Sequence, residues 1–95
     1  MFVIDLVYTA DISVIDQYLV PHREYLDENY AKGLLLCSGP KNPRNGGTII
    51  GLFETRDEVD AFIQGDPFNQ QKIAKYTVSE FNPVKCHSLI KELCN

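Results

Sequence analysis

An α+β fold with a four-stranded antiparallel sheet is predicted by three features of the chain. Short stretches with apolar residues at period two are interleaved with stretches of helical spacing, in the order β-α-β-β-α-β. Cap and turn signals, chiefly Asn45-Gly46, Thr55-Arg56-Asp57-Glu58 and Asp66-Pro67, fall at the joins. A length of 95 residues gives one domain spanning 1–95 and excludes a barrel enzyme of about 250 residues.

Residues 2–8 place Phe2, Ile4, Leu6 and Tyr8 on one face and Val3, Asp5 and Val7 on the other, which predicts an interior strand apolar on both faces. Asp5 within it must be paired or turned toward polar space. Thr9 or Asp11 can cap a helix whose stripe steps through Ile12, Ile15, Leu19, His22 and Leu26, widened by Tyr18, Tyr25 and Tyr30. Pro21 has no amide to offer the carbonyl of Gln17, so a kink or restart is expected there, and Gly33 suits a left-handed C-cap. Leu34-Leu35-Leu36-Cys37-Ser38 reads as a short buried strand. Pro40 to Gly47 is a turn-rich loop in which Asn45-Gly46 is the strongest hairpin signal. Thr48 to Glu54 reads as the third strand. Thr55 to Glu58 is a capping box for a helix that buries Val59, Phe62 and Ile63 and stops at Gly65. Asp66-Pro67 forms an N-cap and N1 pair for a short helix through Ile73. Tyr76 to Val84 is the fourth strand, and His87 to Leu93 a short amphipathic helix. This is the ferredoxin-like split arrangement. Two helices cover only one sheet face, so apolar residues on the other predict a homodimer built by sheet-on-sheet packing.

A formal charge of -4 argues against nucleic acid as a partner, since a phosphate backbone selects basic surfaces. No apolar run approaches the roughly 20 residues of a membrane-spanning helix. The start, Met1-Phe2-Val3-Ile4-Asp5, lacks the basic segment of a signal peptide, and Cys37, Cys86 and Cys94 show no pairing pattern. A cytoplasmic location with reduced thiols is therefore expected. Cys86-His87 with Cys94 lacks paired metal-ligand spacing, and no glycine-rich phosphate loop opens a helix, so neither a metal nor an organic cofactor is expected.

His22 lies on the apolar stripe between Leu19 and Leu26, where each ring nitrogen needs a partner. A structural core histidine is the competing reading. Asp66 reads first as an ordinary cap worth about 1 kcal/mol, although its second oxygen could still orient an imidazole. Ser38 and Gly39 bring a hydroxyl and an accessible amide to the end of a strand, as an oxyanion-binding edge or as plain turn chemistry. Lys41 and Arg44 offer positive charge in the next loop. Cys37, in a leucine run, reads as an inert hydrophobe.

His22 with Tyr25-Leu26 one turn later, Gly33, Ser38-Gly39-Pro40, Asn45-Gly46-Gly47, Asp66-Pro67-Phe68 and the strand Thr77 to Val84 follow one another in an order that resembles the YCII (YciI-like) family over residues 1–85. Cys86 to Asn95 lies beyond the resemblance. The resemblance implies a dimeric α+β barrel and a pocket in which a His and an Asp, here His22 and Asp66, form the catalytic pair of a small-molecule enzyme. Leu19 stands where many members carry an Arg one turn before the His, so an anionic substrate would need another cation. The resulting expectation is a cofactor-independent lyase or isomerase acting on a small cyclic or carbonyl compound, with Ser38, Gly39 and Arg44 binding substrate. The alternatives are a non-catalytic ligand-binding or regulatory module on the same fold, and a scaffold whose partner docks on the C-terminal helix.

Overall fold

Alternation in the first strand translates directly into its place at the centre of the sheet. In the computed structural model, which describes residues 1–95, β1 (Phe2–Tyr8) pairs antiparallel with both β3 (Gly46–Gly51) and β4 (Ala74–Glu80). β2 (Leu35–Pro40) closes the other edge against β3, giving the order β2-β3-β1-β4. Ile4 stands opposite Ile49 and Val78, so the inward residues of three strands form one apolar surface. The helices α1 (Ile12–Gln17), α2 (Leu19–Ala31), α3 (Arg56–Gly65) and α4 (Pro67–Gln70) bring Ile15, Leu26, Val59, Phe62 and Phe68 into one core with Phe2, Ile4 and Leu6. The βαββαβ, ferredoxin-like prediction is thus the observed α+β architecture. No helix is long and apolar enough to cross a membrane.

Several boundaries move for identifiable reasons. The first helical segment breaks at Tyr18 rather than at Pro21, which occupies the third position of α2. Amides in the first turn have no intrahelical acceptor, so proline is tolerated there without a kink. β2 runs two residues past Ser38 because it is an edge strand, where Pro40 forfeits no ladder bond. It is also less buried than its leucine run suggests: only Leu35 is fully enclosed, a bulge interrupts pairing at Leu36, and Cys37 is exposed. β3 begins at Gly46, immediately after the turn. A Cβ at Gly46 would collide with the carbonyl of Leu6, so glycine allows β3 to approach β1 there. Thr55 caps α3 by accepting from the Glu58 amide at 3.2 Å, while the Glu58 carboxylate reaches the amide of Glu54, one residue earlier than a standard box. Gly33 takes the left-handed conformation, at φ 75°, just beyond α2.

The face of the sheet turned away from the helices is less apolar than expected. Val3 and Ile50 are half-buried and Val7 is 46% exposed, but the register sets Asp5 between Thr48 and Thr77, with Lys41 bonded to its carboxylate at 2.7 Å. β4 adds Lys75, Thr77 and Ser79. The predicted terminal α-helix is instead a 3-10 helix, Ser88–Leu93, with non-helical geometry at Ile90. Leu93 lines a shallow hollow together with Met1, Leu52 and Phe53, whereas Leu89 is 87% exposed.

Candidate active site

α2 restarts at Leu19, and its second turn points His22 and Leu26 inward toward the sheet. α3 ends at Gly65, and Asp66 is at once the residue that closes it and the N-cap of α4. These two local events bring the imidazole and the carboxylate together across 44 residues of chain. His22 Nδ1 lies 2.7 Å from Asp66 Oδ1. The same oxygen accepts from the Phe68 amide at 3.0 Å, and Oδ2 accepts from the Tyr76 hydroxyl at 2.6 Å. Asp66 is 0% exposed and His22 8%. Phe68 stacks on the imidazole with centroids 3.9 Å apart and planes 7° from parallel, and Tyr8 meets Phe68 edge-on.

This arrangement fixes the ring's direction. With Asp66 acting as acceptor, Nδ1 carries the hydrogen it shares, which leaves Nε2 as the free lone pair of a neutral imidazole. Every fully buried side-chain nitrogen and oxygen has a partner, and Nε2 makes no hydrogen bond, so Nε2 reaches accessible space. The expected reading of Asp66 as a cap and as a partner for the imidazole therefore describes one carboxylate serving both contacts. Burial pushes the Tyr76 hydroxyl far above the usual tyrosine range, and the adjacent Asp66 charge adds to it. Burial likewise raises Tyr25, whose hydroxyl donates to the carbonyl of Phe62 at 2.6 Å.

The accessible space is a cavity of about 280 Å³ between α2, the β2–β3 hairpin and α4. Leu6, Leu19, Leu26, Ile49 and Phe68 make its apolar wall. Of the residues singled out in the sequence, His22, Ser38, Gly39 and Arg44 line it, and Asp66 stands behind His22. Ser38 Oγ is 2.7 Å from the Tyr30 hydroxyl, not from His22. Arg44 binds Asp16 at 2.6 Å, and that contact raises its affinity for its proton further. Lys41 leaves the cavity for Asp5 on the opposite face of the sheet. No three His, Cys, Asp or Glu side chains converge anywhere in the chain, and the His22–Asp66 pair has no third ligand beside it.

Three further residues escaped the sequence reading, and a fourth, Tyr30, was assigned only to the apolar stripe of the helix. Tyr76 carried a usable signal, because an inward tyrosine on an apolar strand face requires a partner for its hydroxyl. Tyr30, Arg23 and Asp27 on α2 also border the cavity. Arg23 and Asp27 sit on the exposed side of the helix, where charged residues carry no distinguishing pattern.

The architecture and the enclosed His–Asp pair define a ferredoxin-like α+β protein with a small cavity on the helical side of its sheet. The chain belongs to the YCII-related domain family, which it matches over residues 1–82. Comparison with curated proteins finds no match. Among solved structures, the fold is similar to that of 5-chloro-2-hydroxyhydroquinone dehydrochlorinase from Burkholderia phenoliruptrix AC1100, in complex with 2,5-dihydroxybenzoquinone. The TM-score is 0.73 at 20% identity, over 87% of this chain and 95% of that one.

Proposed function

We propose that the chain is a small cofactor-independent enzyme that moves protons on a small cyclic or carbonyl compound, as a lyase or isomerase. The single observation that carries this is the His22–Asp66 contact at 2.7 Å, with the carboxylate sealed behind the ring and Nε2 left open to the cavity. Neutral imidazole takes a proton from carbon or oxygen of the substrate at Nε2. The electron pair released from carbon moves onto the neighbouring carbonyl oxygen as an enolate. Asp66 stabilises the imidazolium through Nδ1, and the proton returns to a different atom, or a leaving group departs with its bonding electron pair as the enolate collapses and takes the proton from Nε2. The Tyr30–Ser38 hydroxyl pair supplies a donor for the transient oxyanion. Acyl transfer is disfavoured because Ser38 is engaged with Tyr30 and lies outside hydrogen-bonding contact with His22. The neighbouring fold, which acts on a chlorinated hydroxyhydroquinone and holds a dihydroxybenzoquinone, supports an oxygenated ring as the substrate class.

Deuterium exchange at the carbon beside the carbonyl of cyclohexane-1,2-dione, followed by NMR, tests this reading. The wild-type chain should accelerate exchange, and His22→Gln should lower the rate by about 10²–10⁴-fold while remaining folded. Equal rates in the two proteins would remove His22 as the base, and binding without exchange would leave a ligand-binding module.

The proposal includes one domain over residues 1–95, a cytoplasmic location and a homodimer joined through the open sheet face. Val3, Val7 and Ile50 supply the apolar part of that face, and the Asp5–Lys41 pair its polar centre. Sedimentation should give about twice the 10.8 kDa of the chain at micromolar concentration, with Val7→Lys shifting it toward the monomer. A wild-type mass of one chain would overturn the assembly.

A further inference from the structure

The charged groups at the cavity mouth are not equivalent. Arg44 is neutralised by Asp16, at 2.6 Å. Arg23 follows His22 on α2, borders the same cavity and makes no ion pair or side-chain hydrogen bond. Asp27, one turn further on and also bordering the cavity, is equally unpaired. Their order, cation before acid at a spacing of four, is the weaker one for helical ion pairs, consistent with the two remaining apart. A guanidinium presents a planar fork of donors that matches a carboxylate or a delocalised oxyanion, and a carboxylate accepts from a hydroxyl. The volume of about 280 Å³ is at the small end for ligand pockets and suits a single ring.

We infer that the cavity takes a small planar monoanion, a ring or carbonyl compound bearing a carboxylate or enolate oxygen held by Arg23 and a hydroxyl held by Asp27. This rests on the reading of the cavity as a substrate site, and it supplies that reading with a substrate class. Asp27 excludes a second negative charge beside the first, whereas Arg23 rejects cationic rings. Leu19 and Leu26 make the wall on which the uncharged part of the ring rests.

The test is an NMR titration with 3-hydroxybenzoate, its neutral isostere 3-hydroxybenzamide, and benzoate, read at the His22 ring and the Arg23 side chain. The wild-type chain should bind 3-hydroxybenzoate about five- to tenfold more tightly than the amide, a ratio set by one accessible charge-assisted contact. Arg23→Gln should bring the two to parity, and Asp27→Asn should erase the preference for 3-hydroxybenzoate over benzoate. Arg56→Gln removes a cation that pairs with Asp60 on α3, and it should leave both ratios intact. Equal affinity for acid and amide, with the His22 signals moving, would overturn the anion assignment and leave the cavity as the site. A preference that survives Arg23→Gln would overturn the role of Arg23. Failure of all three compounds to move the His22 signals would overturn both this inference and the substrate-site reading.

Discussion

Asp66→Ala should destabilise the chain by about 3–5 kcal/mol, because several buried donors lose a charged acceptor at about 1–3 kcal/mol each. The loss leaves three donors without an acceptor in a site closed to water: the His22 ring N–H, the Phe68 amide and the Tyr76 hydroxyl. A residue acting only as a helix cap would cost about 1 kcal/mol on the same substitution, so the magnitude separates the two roles. Asp66→Asn keeps an oxygen for one face of the site but turns an amide toward a donor, and should cost about 1–3 kcal/mol. Urea unfolding at neutral pH measures both. A value near 1 kcal/mol for the alanine variant would show that the contacts to His22 and Tyr76 contribute little.

The second large effect concerns Tyr76 and alkaline pH. Burial, reinforced by Asp66, raises this hydroxyl above its ordinary value, so above about pH 10 the unfolded chain releases a proton that the folded chain retains. The folded state then binds more protons than the unfolded state, and unfolding free energy falls as pH rises. The contribution is fully present below about pH 10 and is lost as pH climbs from there toward the raised folded value. Tyr25, raised for the same reason, adds to the slope. Tyr76→Phe should flatten part of that alkaline decline while costing about 1–3 kcal/mol at pH 7, because Asp66 Oδ2 loses its donor. Stability curves at pH 7 and 11 for both proteins check the sign. An unchanged slope would mean that Tyr76 ionises in the folded state as freely as in the unfolded one.

The element order was legible because alternation, capping and turn chemistry agree at each join. The boundaries were less so, since they depend on which strand lies at an edge and on where a helix can absorb a proline, as β2 and Pro21 show. His22 stood out as a polar ring on an apolar stripe, and Asp66 as a cap. Their meeting is a tertiary event, made by the α3–α4 join, and the sequence pattern alone favoured the cap. Tyr76 was hidden because the predicted strand began with it, two residues late, which obscured its place on the inward face. Arg23 and Asp27 were hidden differently. Charges on the exposed side of a helix look alike until the neighbouring hairpin gives some of them a cavity to border.

Asp66 ties α2, α4 and β4 to one another through a single carboxylate. Damage there and damage at His22 therefore have different cellular fates. Loss of the carboxylate opens the fold and exposes core to proteases and chaperones, so such variants are cleared and their phenotype is one of low abundance. A replacement that keeps a donor toward the carboxylate, as His22→Gln does, should retain more of the fold and, on the proposed reading, lose turnover rather than abundance. A survey that scores abundance separately from activity would distinguish the two positions without knowledge of the substrate.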